Sequence, residues 1–298
     1  MRSLLVLGSL VGSSAWAGPR VAVVQSDDLD PYTEPIPSFL EELGEPAMVL
    51  NIHGREVEAR AVTKKLRREE PDVVFALGAK AAYTVRNELP NTPMVYAVVV
   101  NPDRYGIPGE RTVGIEATVS PSRYLSQFVG FFPEVRTIGV LRGPLTTDDR
   151  MAELQGVART LDLTLLVEEI GTPRRVRRAF NEMAPEIDAL WLQPDREMMT
   201  AESFRLLTEE SRRRRLPLLV ETNNMVRAGA LFAVVPDPDG LGRQAARAVQ
   251  QLLDGTSARI LHDEFPTDVL VVLNLRTVER AEVPFDPLLL DFVDVVVE

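Results

Sequence analysis

Short, unbroken apolar runs recur along the chain, each followed by a small polar loop. They are Val21–Gln25, Pro71–Leu77, Met94–Val98, Thr137–Leu141, Leu163–Val167, Asp188–Leu192, Pro217–Val220 and Ala230–Val234. Continuous apolarity, rather than alternation with period two, marks a strand covered on both faces, as in a parallel sheet. Between the runs the spacing becomes helical: Leu125, Phe128, Val129 and Phe132; Met151, Leu154, Ala158 and Leu161; Val176, Phe180 and Met183. Strand, helix, strand alternation predicts an α/β protein with parallel sheets. Nine to eleven strands strain the limit of one open sheet, so two sheets are expected. The boundary falls near Thr112 to Ser120, where a Gly/Pro-rich loop precedes a strand-like stretch and Ser120-Pro121 starts a new helix. No low-complexity linker occurs, so the halves must be joined by short crossings that permit a hinge but not free tumbling.

The first residues depart from this pattern. Met1-Arg2, an apolar run from Ser3 to Gly12, and Ala15-Trp16-Ala17 match a secretory leader, with cleavage expected after Ala17. Its removal leaves 281 of the 298 residues and takes the net charge from −11 to −12. The apolar run is too short to span a bilayer, so the mature chain is expected to be periplasmic and soluble. The acidic balance argues against nucleic acid and favours a self-repelling monomer. The chain has no cysteine, which excludes disulfides, thiolate metal sites, a cysteine nucleophile and a lipoprotein anchor.

In open parallel sheets ligands bind at the carboxyl ends of the strands, which directs the search to the loops that follow the apolar runs. None carries a phosphate-cradling Gly-rich motif or a Gly-x-Ser-x-Gly elbow. Only His53 and His262 could supply an imidazole, and both sit in polar surroundings. Asp28-x-Asp30 could hold Mg²⁺ for phosphoryl transfer, but Pro31-Tyr32 follows where a hydroxyl residue belongs. The loops suit binding without turnover, with no cofactor, no metal and no catalytic residue. Helices starting after Gly78, Thr147 and Asp195 would aim backbone N–H groups at a carboxylate. Asp27, Asp28, Asp195 and Asp237 could receive an ammonium or hydroxyl groups, with Tyr32, Tyr83 and Phe232 covering an apolar part. The Arg212 to Arg215 and Arg174 to Arg178 runs are read as solvated helix faces.

A family resemblance covers nearly the whole mature chain. Asp188–Asp195, Leu216–Glu221, Val226–Leu231, Gly240–Ala246, Leu252–Gly255 and Val272–Leu275 resemble, in order, the C-terminal half of the ABC-transporter solute-binding proteins that include the tryptophan and aromatic amino acid binders. Ile36–Gly44, Pro71–Val74, Gly78–Ala82 and Asn101-Pro102 match the N-terminal half. The resemblance implies a type I periplasmic-binding-protein fold: two α/β lobes, three crossings and a ligand held between them by hinge closure. On this sequence lobe one would be 18–118 plus 237–264, and lobe two 119–236 plus 265–298. Asp28, Gly78, Ala79, Lys80 and Asn101 would contact the ligand from lobe one. Thr146, Thr147, Asp195, Glu221 and Asn223 would do so from lobe two, with Asp237 at a crossing. Lys80 and Arg142 replace residues usual in the family and would make the cleft rim positive, pointing to an amino-acid-like or other carboxylate-bearing solute. The implied partner is an inner-membrane permease; a receptor or kinase read by the same fold is the alternative, and the phosphatase a remote one.

Overall fold

The computed structural model describes residues 20–195, 197–261 and 264–298; the expected leader at 1–17 and His262 lie outside these residues. The strands are β1 (Val21–Gln25), β2 (Ala47–Asn51), β3 (Val73–Leu77), β4 (Met94–Ala97), β5 (Thr112–Ile115), β6 (Thr137–Arg142), β7 (Thr164–Glu169), β8 (Ala189–Trp191), β9 (Leu218–Val220), β10 (Phe232–Pro236), β11 (Val269–Asn274) and β12 (Val295–Val297). The helices are α1 (Asp30–Thr33), α2 (Pro35–Leu43), α3 (Glu56–Glu69), α4 (Ala79–Glu88), α5 (Pro121–Phe131), α6 (Asp148–Thr160), α7 (Val176–Met183), α8 (Ala201–Arg213), α9 (Asn223–Arg227), α10 (Pro238–Leu253) and α11 (Leu275–Arg280). Among the described residues no helix is long and apolar enough to cross a membrane.

Two sheets result. The first is all parallel in the order β2-β1-β3-β4-β5, and the second runs β12-β11-β10-β9-β8-β6-β7, antiparallel only between β10 and β11. Each sheet carries a core on both faces, which is why its central strands are apolar through their middle positions. Along β1, Val21 and Val23 face a core with Phe39 and Phe75, while Ala22 and Val24 face another with Leu66 and Tyr96. In the second sheet Phe232 sits at the centre of Tyr124, Phe128, Phe131 and Phe132. Tyr124 stacks on Trp191 at 4.8 Å and donates its hydroxyl to Val220 O at 2.7 Å. Phe232 is therefore wholly buried core and not the cover for an apolar part of a ligand expected of it.

Three segments run between the sheets, and they are hydrogen-bonded to one another. Glu116 N donates to Glu264 O at 2.8 Å, Glu264 N to Gly114 O at 3.0 Å, and Asp237 N to Asp268 O at 3.0 Å. Gln244 clasps the third segment: its Nε2 donates to Phe265 O at 3.1 Å and its Oε1 accepts from Thr267 N at 3.1 Å. After β10 the chain returns to the first sheet, where α10 packs on α2, β3, β4 and β5. Close approach depends on Gly242, because a Cβ there would lie 2.2 Å from Pro35 O and 2.1 Å from Ser38 Oγ. The expected effect of Gly242→Ala is a loss of about 1–3 kcal/mol in urea unfolding as α10 lifts from α2; an unchanged midpoint would show that α2 yields without cost.

Candidate functional site: a cleft between the sheets

The carboxyl ends of both sheets' strands face a common cleft made of two adjoining cavities, of about 450 Å³ and about 300 Å³. Val100, Asn101, Leu145, Gln193 and Pro194 line both and form the partition between them. The larger cavity is mainly apolar, with Leu192, Met199, Phe204 and Met225 on the side of the second sheet and Arg104 and Tyr105 opposite. The smaller is more polar, lined by Glu116, Thr118, Thr146, Thr147, Asp149 and Arg150, with Phe265 from the third crossing.

The first sheet reaches the cleft through the segment after β4. Val98 has φ 58 and Asn101 φ 53, left-handed values that a β-branched valine adopts only under constraint from its surroundings. This conformation turns the chain abruptly and leaves Val100 48% exposed at the cavities' shared wall.

From the second sheet, Asp195 fastens two loops together. Its Oδ2 accepts from Leu145 N at 2.9 Å, and its Oδ1 accepts from Glu197 N at 2.9 Å and Met198 N at 3.2 Å. Because Asp195 closes a turn of its own, no helix starts directly after it, contrary to expectation. The next helix, α8, starts at Ala201 with Thr200 as its cap, the Thr200 hydroxyl accepting from Ser203 N. Thr147 likewise caps α6, accepting from Arg150 N at 3.2 Å. Arg142 adds no free positive charge to the rim, because it bridges Asp148, Glu169 and Thr146 O.

Glu221 follows β9 and is 7% exposed on the wall of the larger cavity. Trp191 Nε1 donates to its Oε1 at 2.9 Å. Burial pushes its carboxyl from 4.5 up to about 7, only partly offset by the attraction of Arg150 and the Trp191 hydrogen bond. Burial also raises the neighbouring Tyr124 phenol well above its usual range.

Of the residues expected at the site, Asn101, Thr146, Thr147, Asp195 and Glu221 line the cleft. Asp28, Gly78, Ala79, Lys80, Asn223 and Asp237 line neither cavity. Asp28 pairs with His53 Nδ1 at 2.7 Å, and Lys80 donates to Gly54 O. Gly78, at φ 89, lets Ser26 close over the start of α4, where the Ser26 hydroxyl accepts from Ala81 N at 2.9 Å. Asp237 caps α10 and lies 3.6 Å from Arg243. Sequence reasoning missed Val100, Arg104, Leu145 and Gln193 as lining residues; Leu145 and Gln193 stood in strand-end loops that it did single out, but nothing local marks which loop residue will face a cleft.

Facing parallel-dominated sheets, three crossings and a cleft at the strand ends define a two-lobed binding protein of the type I periplasmic-binding-protein fold. The profile of the family described as ABC transporter substrate binding protein matches residues 40–295, and the chain belongs to that family. A domain in complex with L-Trp from Streptococcus pneumonia is 18% identical, with a TM-score of 0.64 over 94% of this chain and 100% of that one. A ligand-free, open substrate-binding protein with adhesive properties from Clostridium difficile is 17% identical, with a TM-score of 0.76 over 94% and 99%. A conserved domain protein from Vibrio cholerae is 18% identical, with a TM-score of 0.62 over 93% and 99%. No curated protein matches the sequence.

The elevated Glu221 carboxyl has a consequence for stability. A group that holds its proton more tightly folded than unfolded stabilises fully below its unfolded value of 4.5 and loses that contribution as pH rises through about 7. Relative to Glu221→Gln, the wild type is expected to lose about 3 kcal/mol of unfolding free energy between about pH 4.5 and about pH 8. Parallel curves in urea titrations across that range would contradict it.

Proposed function

We propose that the protein is an exported carrier that captures a small amino-acid-like or other carboxylate-bearing solute between its lobes and presents the closed form to a membrane permease. One observation carries the reading: two adjoining cavities lie where both sheets present their strand ends, walled from both sides and spanned by hydrogen-bonded crossings. Lobe one comprises 18–118 plus 237–264 and lobe two 119–236 plus 265–298, so that the crossings at 116–120, 236–237 and 264–268 act as the hinge. Asn101, Thr146, Thr147 and Glu221 touch the solute. Asp195 positions the loops, while Asp28, Gly78, Ala79, Lys80, Asn223 and Asp237 maintain the framework around the cleft.

Solute binds the closed arrangement better than the open one and shifts a pre-existing equilibrium, which is all that capture requires. No step of bond making is needed, and the cleft works without turnover as a monomer. The L-Trp bound by the streptococcal relative supports an amino-acid-like solute here, and the apolar wall of the larger cavity suits a hydrophobic side chain. Export rests on the leader pattern at 1–17.

The test is native mass spectrometry of the purified protein to find a carried small molecule, followed by titration of that molecule and of L-tryptophan. A true solute at about 100 times its dissociation constant adds about 2.7 kcal/mol of stability and lowers the radius of gyration in solution scattering. Absence of any carried molecule, with no stabilisation by amino acids or other carboxylates, would overturn the reading.

A further inference from the structure

Two arginine runs that stand apart in sequence meet on the helices of the second sheet, away from the cleft. The segment 173–183, which leads into and forms α7, carries Arg174, Arg175, Arg177 and Arg178. The segment 209–215, the end of α8 and the turn after it, carries Arg212, Arg213, Arg214 and Arg215. All eight are exposed, and only Glu182, Glu209 and Glu210 share the two segments with them as acids. On a chain whose net charge is −11 they form a basic island.

The fold holds the two runs in one array. Glu210 is 8% exposed and lies among three guanidinium groups, 3.7 Å from Arg177 of α7, 3.2 Å from Arg213 and 3.9 Å from Arg214. A buried carboxylate is tolerated only when paired, so Glu210 gathers the arginines around it. Arg214 adds two contacts to α7: its Nη2 donates to Asn181 Oδ1 at 2.7 Å, and its guanidinium stands 5.5 Å from the centre of the Phe180 ring. Arg178 pairs with Glu182, and Arg215 with Glu282. Arg174, Arg175 and Arg212 make no side-chain hydrogen bond or ion pair among the described residues.

The make-up of the island selects its partner. Protein interfaces have an apolar centre inside a polar rim. None of the exposed large apolar side chains among the described residues lies in 173–183 or 209–215. Arginines spread over two helices, with no cavity among them, suit a plane of anions, and the guanidinium fork matches a phosphate. The other basic stretch, Arg60 to Arg68 on α3, makes no such island, because Glu56, Glu58, Glu69 and Glu70 stand beside it.

We propose that this island seats the protein on a bilayer bearing anionic phospholipids, whose headgroup phosphates the arginines bind. Charges farther than about 8 Å are largely screened at physiological ionic strength, so the acidic remainder of the molecule repels little at contact. Before contact it turns the basic face toward the membrane. The proposal goes beyond solute capture and is independent of it, because the island and the cavities share no residue.

The test is sedimentation of the purified protein with lipid vesicles. Vesicles of phosphatidylcholine with about one third phosphatidylglycerol carry it down at low salt, pure phosphatidylcholine vesicles leave it in solution, and about 0.5 M salt releases it. Arg174→Gln, Arg175→Gln and Arg212→Gln together weaken binding at least about tenfold, and the unfolding midpoint stays in place because these side chains hold nothing within the fold. The same charge change on α3, Arg60→Gln with Arg67→Gln and Arg68→Gln, weakens binding less than about threefold.

Equal binding to phosphatidylcholine alone, or no binding to the anionic vesicles at low salt, overturns the proposal without needing any variant to fold. An equal loss in the two triple variants overturns it too. Tighter binding of poly-L-glutamate at equal anion concentration makes an acidic polypeptide the partner and overturns the bilayer. Each of these failures leaves solute capture standing.

Discussion

Three crossing segments hydrogen-bonded to one another are the constraint on which the rest of the structure depends. They bring the carboxyl ends of two otherwise separate sheets to face one another, and so create a cleft that neither sheet could enclose alone. The lacing between Gly114, Glu116 and Glu264, and between Asp237 and Asp268, keeps the crossings side by side. Gln244, reaching from α10, ties the third crossing to the helix that packs on the first sheet. In the proposed solute capture these laced crossings serve as the hinge.

Around the cleft most polar side chains are already engaged. Asp195 is taken up in holding Leu145 and its own turn, Thr147 and Thr200 in capping helices, and Arg142 in joining Asp148 to Glu169. These bonds tie the loops together, and at Asp195, which is 4% exposed, a lost bond would leave a buried carboxylate short of a partner. Against that background the exceptions carry information. Glu221 has one side-chain hydrogen-bond donor, and Gln193 keeps its amide nitrogen buried and unpaired among the described residues; both residues belong to the lining of a mainly apolar cavity. Specificity in a mainly apolar pocket comes from few polar groups, since each contributes orientation at the cost of its own desolvation.

Much of the fold could be read from the chain. The central strands β1, β3, β4, β6, β8, β9 and β10 were legible because each is covered on both faces and so carries an unbroken apolar run. The edge strands β2 and β12 were not: they are partly exposed, Val49 42% and Val296 41%, and interrupted by polar neighbours, whereas the edge strand β7 kept an apolar run, Leu163–Val167, that could be read despite its partial exposure. The site was less legible. Loop residues at strand ends could be enumerated, but the choice among them depended on which loops meet across the cleft. Asp28, Lys80 and Asp237 have the right chemistry and stand after the right strands or at a crossing, yet they bond to His53, Gly54 and the start of α10. Phe232, read as a ligand cover, fills the centre of the second sheet's aromatic core.

The sequence by itself determined the α/β class, the division into two sheets and the strand ends at which function had to be sought. Those follow from local rules: apolar runs select doubly covered strands, and parallel connections place the useful loops at one edge. Only the tertiary structure decided that Asn101 meets Leu145 and Gln193 in one wall, that Asp195 is spent on backbone amides, and that Glu221 is left almost unpartnered. These outcomes depend on contacts between residues about 30 to about 120 positions apart, and on burial, which changes a carboxylate from a solvated charge into a group that holds its proton near neutrality.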